Sequence, residues 1–441
     1  MSIGIKKSLI ALSISSALVA PSAFATNGYF AHGYSTAEKG LAGAGVAYSQ
    51  DALASATNPA GMVKVGNRMD IGGAIFNPNR QYTASTPSGT PLGGPTGPNP
   101  FPIAPGTYES SQDYFFIPHF GYNWMLDDTS SFGIAAYGNG GMNTNYKNVP
   151  YPFAAGASGT FAAGSAGVDL KQLFINASYA KQINEKNSVG ASLIMAYQTF
   201  KASGLGAFGA NGFSNTPTKL TNNGDDSSLG FGVKLGWQGD VTKDVTVGVS
   251  YQSKMAMSEF DDYAGLYAEN GDFDIPATAT IGLAWKTSDI STLVFDIQQI
   301  YYGDVAAIAN PVENLFTCGA KPDPDCLGGS NGAGFGWDDM TIIKLGYEWL
   351  QNDITWRVGL SNGDQPIANN QVLFNILAPA VIETTVTFGF TMPIDSASDF
   401  TFAAMYAPSS SVSGSTQFDN TQTVELEMDQ FELQGTYTMK F

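Results

Sequence analysis

From about residue 66 to its end, the chain repeats short segments in which apolar and polar residues alternate. A period of two puts one kind of side chain on each face of a strand. The last segment is the clearest: Phe431, Leu433, Gly435, Tyr437, Met439 and Phe441 share one face, and Glu432, Gln434, Thr436, Thr438 and Lys440 the other. The same alternation places Tyr114, Phe116, Pro118, Phe120, Tyr122 and Trp124 together, and sets Val245, Val247, Val249 and Tyr251 against Thr246, Gly248, Ser250 and Gln252. About fourteen segments are predicted, at 66–77, 113–124, 130–138, 171–182, 188–200, 227–239, 243–254, 277–286, 291–299, 339–350, 353–361, 383–392, 399–406 and 428–441.

The links between them alternate in length. Short ones fall near 125–129, 183–187, 240–242, 287–290, 351–352 and 393–398. Long ones fall near 78–112, 139–170, 201–226, 255–276, 300–338, 362–382 and 407–427. A soluble sandwich has no reason to gather every long connection at one end. A membrane barrel has one, with short periplasmic turns and long outward loops. The predicted fold is therefore all-β: a transmembrane antiparallel β-barrel over 66–441, in the outer membrane of a Gram-negative bacterium.

Composition agrees. Charged residues are 13% and aromatics 12% of the chain, against roughly 25% charged in a soluble domain. After the N-terminal leader no apolar run reaches the roughly 18 residues of a membrane helix. The leader itself, 1–25, has a basic start (Lys6, Lys7), an apolar middle and a small-residue end at Ser22-Ala23-Phe24-Ala25, which reads as a signal peptide. A net charge of -18 excludes nucleic acid as a partner.

Enzyme chemistry finds little support. His32 and His119 are the two histidines, and Gly359-Leu360-Ser361-Asn362-Gly363 ends a strand with no histidine after it. No catalytic residue, metal site or cofactor is expected. The acidic run from Glu259 to Asp274 offers hard oxygen ligands for calcium, but its irregular spacing favours a solvated loop. Cys318 and Cys326, close together in a Pro/Gly/Asp-rich loop of an exported chain, are expected to form a disulfide.

Residues 26–65 precede the first strand and are poor in charge and rich in Gly and Ala. A free periplasmic tail would not need such close-packing residues. A barrel lumen would, and this segment is predicted to be a plug, or hatch, with Gly40, Gly43, Gly45 and the turn Asn58-Pro59-Ala60-Gly61 as its key positions.

Several strings, in order along the mature chain, resemble one family. They are Gly40-Leu41-Ala42-Gly43-Ala44-Gly45-Val46-Ala47 with Asp51 and Asn58-Pro59-Ala60-Gly61, then Asp274-Ile275-Pro276-Ala277-Thr278, then Gly336-Trp337-Asp338-Asp339 leading to Lys344-Leu345-Gly346-Tyr347. Thr355-Trp356-Arg357-Val358-Gly359-Leu360, Asn375-Ile376-Leu377-Ala378-Pro379-Ala380 and the terminal Phe441 complete the set. Together they resemble the FadL-type outer-membrane transporters of long-chain fatty acids and other hydrophobic compounds. The resemblance implies a fourteen-stranded barrel blocked by a hatch, capture of a hydrophobic small molecule by the outward loops, and exit through a kink in the third strand. Gly138, Gly140 and Gly141 are the residues here that match that kink. It also implies that Phe441 is read by the outer-membrane assembly machinery. The partners implied are the hydrophobic substrate and outer-membrane lipid, and the protein is expected to be monomeric. Candidate outward-side contacts for a carboxylate head group are Lys147, Lys201, Lys219 and Lys254. The competing readings are a general water-filled porin, distinguished by whether 26–65 fills the lumen, and an adhesin or structural barrel.

Overall fold

The computed structural model describes residues 27–88 and 102–441. The expected leader, 1–25, lies outside the described residues. Fourteen antiparallel strands close into a barrel. They are β1 (Arg68–Ala84), β2 (Phe115–Asp127), β3 (Ser130–Asn143), β4 (Gly167–Asn184), β5 (Asn187–Ser203), β6 (Asp226–Asp240), β7 (Val245–Gln252), β8 (Thr278–Ser288), β9 (Ser291–Ile300), β10 (Met340–Gln351), β11 (Ile354–Gly363), β12 (Thr384–Pro393), β13 (Ser398–Thr416) and β14 (Asp419–Lys440). Each pairs with its neighbour in the chain, and β14 closes on β1 from Arg68↔Lys440 to Ala84↔Val424. Closure pairs the first strand with the last, so neither is left as an open edge in lipid. Two short strands, Gly106–Glu109 and Ala256–Met257, add to β1 and β6. Among the described residues no helix is long and apolar enough to cross a membrane.

The period of two sorts residues as expected. Glu432, Gln434, Thr436 and Thr438 are buried inside, while Leu433 and Tyr437 face outward. Phe116 and Ile75, paired across β1 and β2, are each about half exposed on the lipid side.

One predicted loop is corrected. Residues 407–427 form no long loop: β13 runs to Thr416 and β14 starts at Asp419, so the two strands rise as one hairpin. Ser409, Ser411, Ser413 and Ser415 fill the exposed face where a membrane strand carries apolar residues, as suits a part that stands above the bilayer and has no lipid face to satisfy. The alternation that marks a membrane strand therefore disappears while the strand continues. β1 likewise runs on past Pro78, which pairs with Gln430 of β14 in a stretch where the β2 ladder has already ended at Phe76. A missing N–H is tolerated where a strand is paired on one side only.

Phe441 follows β14. Its N–H donates to Asn67 O at 3.1 Å and its ring stacks on Tyr122 with centroids 5.8 Å apart. Deleting Phe441 is expected to lower the amount of heat-modifiable folded protein in isolated outer membranes while export continues. Wild-type amounts would reject a role in assembly.

Candidate functional site

Residues 27–65 lie inside the barrel. Three short helical turns shape them: Thr36–Lys39, Ala54–Thr57 and the tighter turn Pro59–Lys64. Asn58 ties the last of these together. Its Oδ1 accepts from Ala60 N at 3.1 Å, and its Nδ2 donates to Val46 O at 2.7 Å and to Trp237 O of β6 at 3.0 Å. Pro59, Ala60 and Gly61 are buried beside it. A side chain at Gly236 of β6 would overlap the Asn58 amide, so the wall is pared back where the segment presses on it. Gly43 has φ +78, and a Cβ there would overlap the His32 carbonyl. Gly40 packs against Arg357 of β11.

Wall charges hold this segment largely by its backbone. Asp296 of β9 accepts from Gly45 N at 2.8 Å and Val46 N at 3.0 Å. Lys344 of β10 donates to His32 O at 3.1 Å and Gly43 O at 3.2 Å. Asp70 of β1 accepts from Ala52 N at 2.8 Å. Two ion pairs join side chains directly: Lys39 Nζ and Glu432 Oε1 of β14, 2.5 Å apart and both buried, and the more exposed Lys64 Nζ and Asp240 Oδ1 of β6, 3.6 Å apart. Charge-assisted bonds of this kind are about twice as strong as neutral ones. The space between the segment and the wall is polar, lined by Glu38, Lys234, Asp296, Gln298 and Lys344.

Among the described residues the ladder between β2 and β3 is interrupted. β2 and β3 pair from Asp127↔Ser130 only as far as Phe120↔Ala136. Beyond that, Phe115 to His119 of β2 remain paired with β1, and Tyr137 to Asn143 of β3 with β4, but not with each other. The β3–β4 register shifts between Gly138 and Gly140, so Asn139 is an extra, bulged residue. The freed edge of β3 bonds the N-terminal segment instead. Ala31 N donates to Asn139 O at 2.9 Å, Gly141 N donates to Tyr29 O at 3.0 Å, and Tyr34 Oη donates to Asn139 Oδ1 at 2.9 Å. Above the break, Ser111 N donates to Asn145 O at 3.0 Å, bringing the two sides together again. The break is thus a window bounded below by a ladder and above by a loop contact. The three predicted kink glycines, Gly138, Gly140 and Gly141, lie at it.

Two small, mostly apolar pockets lie inside the barrel. The nearer adjoins the window and is lined by Tyr29, Arg80, Met142, Asn143, Trp337, Ala378, Pro379 and Ala380. The outer is lined by Val168, Leu205, Tyr267, Phe335, Phe374 and Leu377. They meet along adjacent residues, Leu377 beside Ala378 and Phe335 near Trp337. Trp337 Nε1 donates to Asn375 Oδ1 at 2.6 Å, and Asn375 Nδ2 donates to Phe335 O at 2.6 Å. Two of the sequence strings that carry the family resemblance, far apart in the chain, therefore meet as one wall of these pockets.

The outward loops cover the top. Phe418, at the tip of the β13–β14 hairpin, packs on Phe213 and Phe316 with centroids 5.7 and 5.3 Å apart. Cys318 and Cys326 are bonded, with Cα atoms 4.6 Å apart. The four candidate lysines do not converge on either pocket. Lys201 lies 3.6 Å from both Asp169 and Asp225, and Lys254 lies 2.9 Å from Asp274. Lys147 is exposed and Lys219 half-buried, and among the described residues neither has an ion pair. Among the described residues no cluster of three metal-ligating side chains occurs.

In the acidic loop, burial and then the neighbouring Asp274 and Glu269 push the Asp272 carboxyl up to about 7, against the opposing pull of Lys254. A carboxyl raised on folding favours the protonated, ordered loop. That contribution is full below the unfolded value and is lost as pH rises through about 7. Amide exchange across 260–274, corrected for intrinsic rate, is expected to be faster at about pH 8.5 than at about pH 6. Equal protection at both would contradict it.

Sequence reasoning missed Asn139 as the bulged residue, Glu432 as the partner of Lys39, and Arg80, which lines the nearer pocket. Gly236 carried a legible signal, a glycine at a strand position.

A family model described as "Outer membrane protein transport protein (OMPP1/FadL/TodX)" matches residues 16–440. Among solved structures the fold is similar to the toluene transporter TodX of Pseudomonas putida, with TM-score 0.68 and 18% identity over 93% of this chain and 99% of that one. It is similar to the toluene transporter TbuX of Ralstonia pickettii, with TM-score 0.61 and 15% identity over 93% and 99%. It is also similar to a Pseudomonas aeruginosa FadL homologue, with TM-score 0.65 and 14% identity over 94% and 100%. At such identities the likeness speaks for the fold alone. No curated protein matches the chain.

Proposed function

The chain belongs to the outer membrane transport protein family (OMPP1/FadL/TodX) of Gram-negative outer-membrane barrels, and on that premise we propose that it carries hydrophobic compounds across the outer membrane without an energy source. The outward loops capture the molecule in the outer apolar pocket. It moves to the pocket beside Trp337 and leaves sideways between β2 and β3 into the bilayer. Residues 26–65 act as the hatch that denies it the polar lumen.

The observation that supports this most is the adjacency of the window to an apolar pocket. An apolar solute gains about 25 cal/mol per Å² on burial, about 5 kcal/mol for about 200 Å². Passing on through the charged lumen would forfeit that gain, whereas lipid retains it. The hatch reading is supported by the wall charges bonded to the segment's backbone. The same contacts weigh against a water-filled porin, which needs an open lumen.

The test compares cells with and without the protein for uptake of radiolabelled toluene and dodecanoate and of a small sugar. Faster hydrophobic uptake with unchanged sugar entry is expected. Equal acceleration of all three would favour the porin, and no acceleration would overturn transport.

A further inference from the structure

A chain of side-chain hydrogen bonds runs from the window to an outward loop. Tyr34 Oη donates to Asn139 Oδ1 at 2.9 Å, and Asn139 Nδ2 donates to Gln172 Oε1 of β4 at 2.9 Å. Gln172 Nε2 donates to Gln198 Oε1 of β5 at 2.8 Å, and Gln198 Nε2 to the Phe273 carbonyl at 2.9 Å. Asn139, Gln172 and Gln198 are buried, and each uses both polar atoms of its amide within the chain. The two glutamines stand directly opposite each other in the β4–β5 ladder. Their neighbours on the inner face, Leu170 and Phe174 on β4 and Ala196 and Phe200 on β5, are apolar and buried. An apolar residue of similar size at either position would pack there without needing a partner, so packing does not account for the pair.

The chain has a fixed direction. A carbonyl only accepts, so Phe273 obliges Gln198 to present its NH2 group. That leaves the Gln198 oxygen for Gln172, and in turn the Gln172 oxygen for Asn139. Asn139 is thereby held with its own oxygen toward Tyr34, the orientation in which it accepts from the hatch. The far end of the chain lies beside the capture site. Phe273 belongs to the loop between β7 and β8, whose Tyr267 lines the outer pocket, and the two rings are 4.8 Å apart. The Phe273 ring is also 6.0 Å from that of Tyr29 in the hatch. One residue therefore stands between the outer pocket, the hatch and the amide chain.

We propose that Gln172 and Gln198 are positioning residues that couple the outer pocket to the window. A molecule that displaces Tyr267 draws the Phe273 carbonyl away from Gln198, the amides become free to turn, and Asn139 releases Tyr34. The molecule supplies the bias through its higher affinity for the released arrangement. The inference rests on the transport reading above and deepens it, by making release of the hatch start conditional on capture.

The test measures amide exchange by mass spectrometry on the full protein in lipid nanodiscs, with and without dodecanoate. In the wild type, dodecanoate is expected to slow exchange at 263–268, beside the outer pocket. It should speed exchange at 29–34 by about fivefold or more, the lower end of usual coupling strengths. Gln172→Met and Gln198→Met keep the size and cannot donate. Each should show the faster 29–34 value without ligand and no further rise with it, while protection at 263–268 stays as in the wild type. The double variant should match either single one, because one break interrupts the chain. Heat-modifiable mobility verifies that the barrel is folded, and either variant serves alone if the other fails to assemble. A purely structural role would raise exchange at 29–34 and leave the ligand's further effect in place. That result, or protection at 263–268 in the wild type with no change at 29–34, would overturn the coupling and leave the transport reading standing. A wild type in which dodecanoate protects nothing at 263–268 would overturn capture in the outer pocket, and the coupling with it.

Discussion

Deleting Asn139 is expected to reduce hydrophobic uptake to that of cells lacking the protein, while the folded barrel is recovered in wild-type amount. Asn139 is the extra residue that separates the pair Gly138↔Leu173 from Gly140↔Gln172. Without it those pairs follow one another, and β3 runs unbroken along β4. A bulge bends its strand and leaves a residue out of the ladder, so its removal straightens β3 toward β2. The same deletion removes the carbonyl that holds Ala31 and the amide that holds Tyr34. The hatch start then loses its hold on the β3 edge, and β2 becomes the natural partner for that edge. Barrel closure depends on the β1–β14 ladder and the thirteen other neighbouring pairs, of which only β2–β3 and β3–β4 are touched. Uptake at the wild-type rate in a folded deletion variant would separate the bulge from the transport path.

Replacing Lys39 with Met is expected to have the second largest effect, seen in the lumen and not in the window. Lys39 and Glu432 are 2.5 Å apart and almost wholly shielded from solvent. Removing one member of a buried pair leaves the other charged and unpaired, at a cost of about 3–5 kcal/mol. Glu432 belongs to the wall and cannot move away, so the hatch gives way. Entry of a small sugar should rise, because a loosened segment no longer fills the polar lumen. The double variant Lys39→Met, Glu432→Met should recover most of the seal, since replacing both charges by apolar groups of similar size is far less costly than orphaning one. A sealed Lys39→Met channel, or a double variant as leaky as the single, would mean that this pair does not hold the hatch.

Much of the fold was legible because a barrel in lipid obeys one rule on its outer face. Val249 and Tyr251 face outward and Ser250 and Gln252 inward, as their alternation requires. The rule stops where the lipid stops, which is why the β13–β14 hairpin above the membrane read as a loop and why β1 seemed to end before Pro78. The site was legible in part. Gly and Ala richness in 26–65 pointed to a confined place, and Gly43 and Asn58 are confined by the contacts given above. The pairing of Lys39 with Glu432 joins residues at opposite ends of the chain, and no local pattern records it. Arg80 escaped for a related reason. It falls in the stretch assigned to a loop, where a lone basic residue reads as a solvated charge, whereas the extended strand turns it inward to the pocket. A lysine's place in an outward loop says nothing about which carboxylates lie within reach of it, as Lys201 and Lys254 show.

The most direct test of lateral transport is to map where a substrate travels. A dodecanoate bearing a terminal diazirine, photolysed during uptake in intact cells and followed by mass spectrometry of the labelled protein, reports the residues it meets. The account predicts labels at Phe374 and Leu377, then at Met142 and Ala378, and finally on the lipid-facing Tyr114 and Phe116 beside the window. Labels at Lys234, Gln298 and other residues of the polar lumen, with none at Tyr114 or Phe116, would contradict it.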